Sequence, residues 1–410
     1  MSFSALALDK VLSDAVKALG YDSPTPIQQQ AIPAILAGKD IMAGAQTGTG
    51  KTAAFALPIL QQLIKYTEAS RPIRALVLTP TRELAQQVYK SFVRYAENTA
   101  LNVAVAYGGV SINPQISAIE KGVDILVATP GRLLDHIAKG SIDLSQLQTI
   151  VFDEADRMLD MGFKDEINRI LVRLPGKRQT LLFSATFDDA IFKLSKSLLN
   201  EPLLIEVSER NAAAAQVEQL IYTVDRDRKR ELTSFLIGSK NWQQVLIFTR
   251  TKQTADALAK EMCKDGIQTD SIHGDKSQGA RERALAEFKQ GKIRALVATD
   301  VAARGIDIID LKYVINYELP YVAEDYIHRI GRTGRAGNAG LAISLVSPNE
   351  KSLLEAVEKV LDIVLLQQWL PGYEPDLTKQ NQEAKRSSKG KQKQQARSKA
   401  LGIKQTKKRR

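Results

Sequence analysis

The sequence predicts an α/β protein of two tandem domains, each built on a parallel sheet, followed by a basic disordered tail. Three observations carry this. The chain has 410 residues, beyond the roughly 250–300 at which a single hydrophobic core stops growing. Short β-rich runs alternate with helical periodicity along most of it, the pattern of βα units whose strands lie parallel. Two segments of the first half also recur in the second. Leu76–Thr81 (LVLTPT) aligns with Leu246–Thr251 (LIFTRT), and Leu126–Thr129 with Leu296–Thr299 (LVAT in both), each displaced by 170 positions. Buried strands share apolar letters by chance, but a common offset with a polar residue ending each strand favours two copies of one fold.

The strands expected in the first half are ALVLTP (75–80), DILVATP (124–130), TIVFDE (149–154) and TLLFSAT (180–186). Those of the second are VLIFTRT (245–251), TDSIHG (269–274), RALVATD (294–300), YVINYE (313–318) and GLAISLVS (340–347). The boundary is placed in Ser208–Gln216 (SERNAAAAQ). It gives an N-terminal domain over 1–208, a linker over 209–216, a C-terminal domain over 217–365 and an extension over 366–410. In open parallel sheets, ligands bind at the carboxyl ends of strands. Nearly every polar motif here directly follows a strand, and two sheets facing each other would put these edges on a shared cleft.

Composition narrows the class. The N-terminus, MSFSALALDKVLSDAV, has no basic leader and does not read as a secretory signal. No apolar run approaches the ~20 residues needed to span a bilayer, so no membrane is expected. The single cysteine, Cys263, cannot form an internal disulfide, which suits the cytoplasm. Net charge is +11, from 57 basic and 46 acidic residues. Residues 379–410 hold 13 Lys/Arg against one acid, Glu383, leaving 44 basic and 45 acidic residues for the rest. The tail, Gln/Ser/Lys-rich and without aromatics, cannot bury enough surface to order itself. It reads as a nucleic-acid-binding arm, with a merely solubilising tail as the alternative.

AQTGTGKT (45–52) follows the apolar Ile41–Met42 and precedes the helical run AAFALPIL, the strand–loop–helix context of a P-loop. Gly48 and Gly50 permit the turn and, with Thr49, backbone N–H groups cradle phosphates at the helix N-terminus. Lys51 reaches the β- and γ-phosphates and Thr52 holds Mg²⁺. Ala45 stands where the strict pattern has its first glycine, with Gly44 just before it. IVFDEAD (150–156) supplies the partner: Asp153, ending an apolar strand, lies near the P-loop metal. Glu154 is placed to orient or deprotonate the attacking water. An acidic pair after a strand is also a common helix N-cap. HRIGRTGR (328–335) has three arginines, and Gly331 and Gly334 let Arg332 and Arg335 point together as arginine fingers on a γ-phosphate. Hydrolysis would then depend on lobe closure.

These residues resemble the DEAD-box family of ATP-dependent RNA helicases. The resemblance covers residues 3–365, through PTRELA (80–85), TPGR (129–132), DEAD (153–156), SAT (184–186), ARGID (303–307) and HRIGRTGR (328–335). GYDSPTPIQ (20–28) is similar to its Q motif, with Tyr21 where phenylalanine is commoner, and Phe3 stands where the family places an isolated aromatic. NWQQVLIFTRTK (241–252) and IHGDKSQGARERAL (272–285) most resemble the bacterial RhlE-type branch. The resemblance implies two RecA-like domains, with ATP and Mg²⁺ as cofactors. Gln28 would read the adenine edge, an amide contact glutamine can make to adenine; taken alone it is a surface glutamine. Phe3 would stack nearby, Asp307 would contact the nucleotide region from the second lobe, and Ser184 and Thr186 would couple hydrolysis to strand separation.

The family also implies RNA-backbone contacts from Pro80, Thr81, Arg82, Gly108, Gly109, Thr129 and Arg132 in the first lobe. The second lobe would use Arg250, Gly274, Gln278, Arg281 and Thr299. Small residues, hydroxyls and arginines at strand ends suit phosphates and 2′-hydroxyls rather than base edges, so binding is expected to be largely sequence-independent. With 6% aromatics, few of them among these motifs, no stacking platform is expected. The only histidines are His136, His273 and His328, and no zinc spacing exists. His136 reads as a surface helix residue, and the other two as hydrogen-bonding groups near the cleft. The expected protein is a monomeric RNA-stimulated ATPase that unwinds short duplexes. Ribosome-assembly or RNA-decay proteins are its expected further partners. An ATP-gated RNA clamp and a translocating DNA helicase are the alternatives.

Overall fold

The computed structural model describes residues 3–44, 49–65, 71–187, 189–206, 217–303, 311–334 and 340–376. Fourteen strands among them form two seven-stranded sheets, and the chain divides into two compact units. The first sheet comprises β1 (Ile41–Gly44), β2 (Ala75–Leu78), β3 (Val103–Ala106), β4 (Ile125–Ala128), β5 (Thr149–Phe152), β6 (Gln179–Ser184) and β7 (Leu203–Glu206). The second comprises β8 (Val217–Thr223), β9 (Val245–Thr249), β10 (Thr269–Ile272), β11 (Ala295–Thr299), β12 (Tyr313–Asn316), β13 (Gly340–Val346) and β14 (Gln367–Gln368). All nine expected strands are present.

The sheet orders are β3-β4-β2-β5-β6-β1-β7 and β10-β11-β9-β12-β13-β8-β14. Counted from the first strand of each half, the two orders are the same. The segments aligned at an offset of 170 are β2 with β9 and β4 with β11, each pair in the same sheet position. The likeness extends to hydrogen bonds. Thr81 Oγ1 accepts from Leu84 N at 3.3 Å and Thr251 Oγ1 from Thr254 N at 3.0 Å. Each hydroxyl thus caps the helix that follows its strand, Arg82–Tyr95 or Lys252–Lys264, satisfying one of the orphan donors of a first turn.

All pairings of the first sheet, and those of the second from β11 to β14, are parallel, so the interior strands need helices on both faces and apolar residues throughout. β2, β4, β5 and β9 are buried at every position. Strand alternation divides them between two cores: in β2 and β5, Val77 and Val151 join one cluster while Leu76, Leu78, Ile150 and Phe152 join the other. The edge strands differ, with β3 alternating between buried and half-buried and β7 burying Ile205 alone. With cores on both faces, the polar residues that follow the strands gather at the carboxyl ends of each sheet.

No described helix is long and apolar enough to cross a membrane. His136 departs from the sequence expectation: it is fully buried. The helix Pro130–Ala138 turns Leu133 and His136, three residues apart, onto one face. The position is therefore set by helical period rather than by polarity. Its ring is satisfied there, Nδ1 lying 2.8 Å from Ser141 Oγ and Nε2 3.3 Å from Gln115 Oε1.

Candidate functional site

The nucleotide-site residues converge on neighbouring strands of the first sheet. β1 ends at Gly44, just before the P-loop sequence, β6 ends in Ser184 paired with it, and β5 leads into Asp153. Gly44, the last residue of β1, pairs with Ser184, and a Cβ on it would meet the Phe187 ring at 2.8 Å. A glycine is needed there for that close approach.

The helix Lys51–Leu63 starts from Gly50, whose φ of +90° is left-handed. A Cβ there would strike Gln28 Nε2. Gln28, 3% exposed, is tied down at both ends of its amide: Nε2 donates to Gly50 O at 3.1 Å and Oε1 accepts from Thr25 N at 3.0 Å. Gln28 is therefore a buried residue held against the P-loop, not a surface glutamine. A primary amide has two N–H donors and two acceptor lone pairs, so one of each stays available to a base edge. Phe3 is 6% exposed and joins the core with Leu6.

Lys51 is 7% and Asp153 2% exposed. Lys51 Nζ and Asp153 Oδ1 have no hydrogen-bond partner among the described residues. Burial pushes the Asp153 carboxyl up to about 6, the Lys51 ammonium opposing this and Glu154 reinforcing it. Buried charged atoms without partners are costly unless a ligand completes them. A cation with unused donors and a carboxylate with an unused acceptor, below a P-loop, fit a phosphate chain and a divalent metal. Thr49 and Thr52 lie beside them, half-buried.

Glu154 adopts a left-handed backbone, φ +56° and ψ +55°, and is 8% exposed. Such a conformation costs a non-glycine residue about 1–3 kcal/mol, and strain of this kind clusters at functional sites. It occupies the N-cap position of the helix Ala155–Asp160, yet its side chain makes no cap hydrogen bond. Capping therefore does not account for this carboxylate.

Asp156, given no role from the sequence, links two motifs. Its Oδ2 accepts from Ala185 N at 3.0 Å, Thr186 N at 3.1 Å and Thr186 Oγ1 at 3.3 Å. The DEAD and SAT segments are thus joined directly, and Ser184 Oγ accepts from Thr186 N at 3.4 Å.

The first-unit residues assigned to RNA also meet. Pro80 and Thr81 follow β2, Gly108 and Gly109 follow β3, and Thr129 follows β4 and opens the helix bearing Arg132. Gly109 has φ +82°, and a Cβ on it would strike the Arg82 guanidinium. Arg132 donates to Val110 O at 2.8 Å. Two arginines thus bracket the glycine loop, one against it and one bonded to its end. Arg132 also faces Asp135 at 3.3 Å.

Of the residues assigned to the second lobe, Gln278, Arg281, Thr299 and Arg332 are buried and Gly274 is exposed, and the stretch 272–286 that holds Gly274, Gln278 and Arg281 groups with the first compact unit. Arg250 is held by carboxylates: Nη2 lies 2.9 Å from Glu350 Oε1 and 3.4 Å from Glu318 Oε1, and its N–H donates to Glu318 Oε2 at 2.8 Å. Gly48, Asp307, Arg335, the linker over 209–216 and the tail over 379–410 lie outside the described residues.

Comparison with known proteins agrees with this geometry. The DEAD/DEAH box helicase model matches residues 25–194 and the helicase conserved C-terminal domain model residues 227–337. The ATP-dependent RNA helicase CshA of Listeria monocytogenes is 43% identical over 357 residues, covering 87% of this chain and 68% of that protein. The RNA helicase CrhR of Synechocystis is 44% identical over 361 residues, covering 88% and 73%. Among solved structures, Saccharomyces cerevisiae Dbp5 bound to RNA and ADP BeF3 is similar with a TM-score of 0.80, at 33% identity over 90% of this chain and 95% of that one. The DEAD-box helicase Mss116 bound to ssRNA and UDP-BeF is similar with a TM-score of 0.82, at 28% identity over 92% and 80%. Both sheets are RecA-like, and the chain belongs to the DEAD-box RNA helicase family.

Proposed function

We propose that this protein is an ATP-dependent RNA helicase in which RNA-stimulated ATP hydrolysis drives local, non-processive opening of short duplexes. The observation that carries the reading is the buried Lys51 and Asp153 pair, each with a polar atom that has no hydrogen-bond partner among the described residues. In this reading Lys51 holds the β- and γ-phosphates with the N–H groups of Gly48, Thr49 and Gly50. Thr52 and Asp153 hold Mg²⁺, which would neutralise phosphate charge when bound. Glu154 takes a proton from the attacking water, a step worth about 10²–10⁴ in rate. Arg332 and Arg335 stabilise charge on the γ-phosphate, Gln28 and Phe3 select adenine, and Asp307 contacts the nucleotide.

The Asp156 bridge gives hydrolysis a route to Ser184 and Thr186. Pro80, Thr81, Arg82, Gly108, Gly109, Thr129 and Arg132 then hold the RNA backbone, joined from beyond residue 217 by Gly274, Gln278, Arg281 and Thr299, while Arg250, already facing Glu318 and Glu350, acts as a support rather than a phosphate ligand. We place the domains at 1–208 and 217–365 and assign the chain to the RhlE-type branch, acting as a cytoplasmic monomer. Multiple-turnover ATP hydrolysis with and without RNA, run beside unwinding of a short duplex, tests this function. RNA-stimulated turnover with strand separation is expected. RNA-dependent ATP binding without turnover would replace it with a clamp.

A further inference from the structure

An exposed aromatic stands at the carboxyl end of β12 in the second sheet. Tyr321 is 74% exposed, in the connection between β12 and the helix Ala323–Ile330. Isolated exposed apolar residues are ordinary, but the support beneath this one is not. Arg250 follows β9, the direct neighbour of β12, and its guanidinium lies 4.9 Å from the centre of the Tyr321 ring. That guanidinium is fixed. Glu318 takes its backbone N–H and one Nη, and Glu350 takes the same Nη at 2.9 Å.

Glu350 is anchored in turn. It is 3% exposed, its Oε2 accepts from Ser347 N at 3.0 Å, and it pairs with the buried Lys229. Lys229 also donates to Tyr317 O at 3.0 Å and Leu345 O at 2.6 Å, groups at the ends of β12 and β13. Two cations and two carboxylates thus form a neutral, interlocked base tied to three adjacent strands, with one ring face resting on it.

Such a base serves poorly as a phosphate ligand, because the guanidinium already faces two carboxylates. It serves well to hold a ring in one orientation. An aromatic with one face backed by a cation and the rest open to solvent can stack a nucleobase, and stacking accepts any base. From this geometry we propose that Tyr321 is a base-stacking site for single-stranded RNA, with Arg250 positioning the ring through Glu318 and Glu350. The site rests on the RNA-helicase reading and adds one base contact to a path otherwise made of backbone contacts. Its tolerance of sequence agrees with that path.

The test is binding of a labelled short oligouridine to the full chain in the presence of ADP–BeF3, for the wild type and for Tyr321→Ala, Tyr321→Phe and Tyr321→Trp. Truncating a ring this exposed leaves no cavity, and thermal unfolding of each variant verifies the fold. Loss of a stacked base lowers affinity about 5- to 150-fold, so Tyr321→Ala should weaken binding within that range while the aromatic variants keep it. Oligouridines carrying one abasic position, moved along the strand, supply the second arm. One abasic position should cost the wild type the same factor and cost Tyr321→Ala nothing further. Unchanged affinity of Tyr321→Ala overturns the proposal, as does a loss that no abasic position reproduces. A wild type that binds no oligouridine under these conditions would instead contradict the RNA-helicase reading itself.

Discussion

Replacing Gln28 with alanine should remove selection of adenine without removing phosphate binding. The side chain is 3% exposed and its amide is bonded to Gly50 O and Thr25 N, leaving one donor and one acceptor for a base. A bidentate amide–adenine contact discriminates by about 1–3 kcal/mol, or about 5- to 150-fold in relative affinity. Wild type should favour ATP over GTP by a factor in that range, and Gln28→Ala should bring the ratio near one. The substitution also orphans two backbone groups, each costing about 1–3 kcal/mol if it stays dry, so thermal unfolding must be followed in parallel. Gln28→Glu provides a control of similar volume. It keeps an acceptor for Thr25 N but sets a buried carboxylate against Gly50 O, so it should lose selectivity at no smaller cost in stability. The assay is competition of ATP and GTP against a fluorescent nucleotide at fixed Mg²⁺. Equal affinity of the wild type for both nucleotides would leave Gln28 no role in base selection.

Asp156→Asn keeps the shape of the bridge to Ala185 and Thr186 but removes its charge, a loss of about 1–2 kcal/mol in hydrogen-bond strength. Strand separation per ATP hydrolysed should fall several-fold more than ATP affinity, measured by pairing unwinding and phosphate-release assays. His136 has its pKa lowered from the usual 6.5, by burial first and then by Arg132. As pH falls below 6.5 the unfolded chain therefore takes up the proton before the folded one. Stability present above that value should be lost on acidification, and the fall in Tm should be smaller in His136→Gln. Truncation after residue 378 removes the net +12 of 379–410. If about five of those charges meet RNA phosphates, log Kd against log salt should flatten by about 3.5 units. Superimposable lines would leave the tail no role in RNA binding.

Interior structure was legible because buried parallel strands are apolar without interruption, so LVLTP, LVATP and VLIFT announce themselves. The strands not anticipated, β3, β7, β8 and β14, are weaker signals. VAVA and LLIE sit at or near an edge and bury only alternate or single residues, and β14 is two glutamines long. The nucleotide motifs were legible because phosphate binding needs a fixed local spacing of glycine, lysine and hydroxyl. What could not be read was how separate segments meet. Arg250 resembles a free strand-end cation until Glu318 and Glu350, 68 and 100 residues away, close on it. Asp156 gains its meaning only when the chain returns 29 and 30 residues later with two donors. His136 lies on the buried stripe of a short helix, three residues after Leu133, so its letter pointed outward and its position inward.

In the proposed mechanism Glu154, strained and unused as a helix cap, is the general base of ATP hydrolysis. Steady-state phosphate release by Glu154→Gln at saturating ATP and RNA tests it most directly, with ATP and RNA affinities measured on the same preparation. A fall of about 10²–10⁴ in turnover with both affinities retained is predicted. Turnover close to that of the wild type would contradict it.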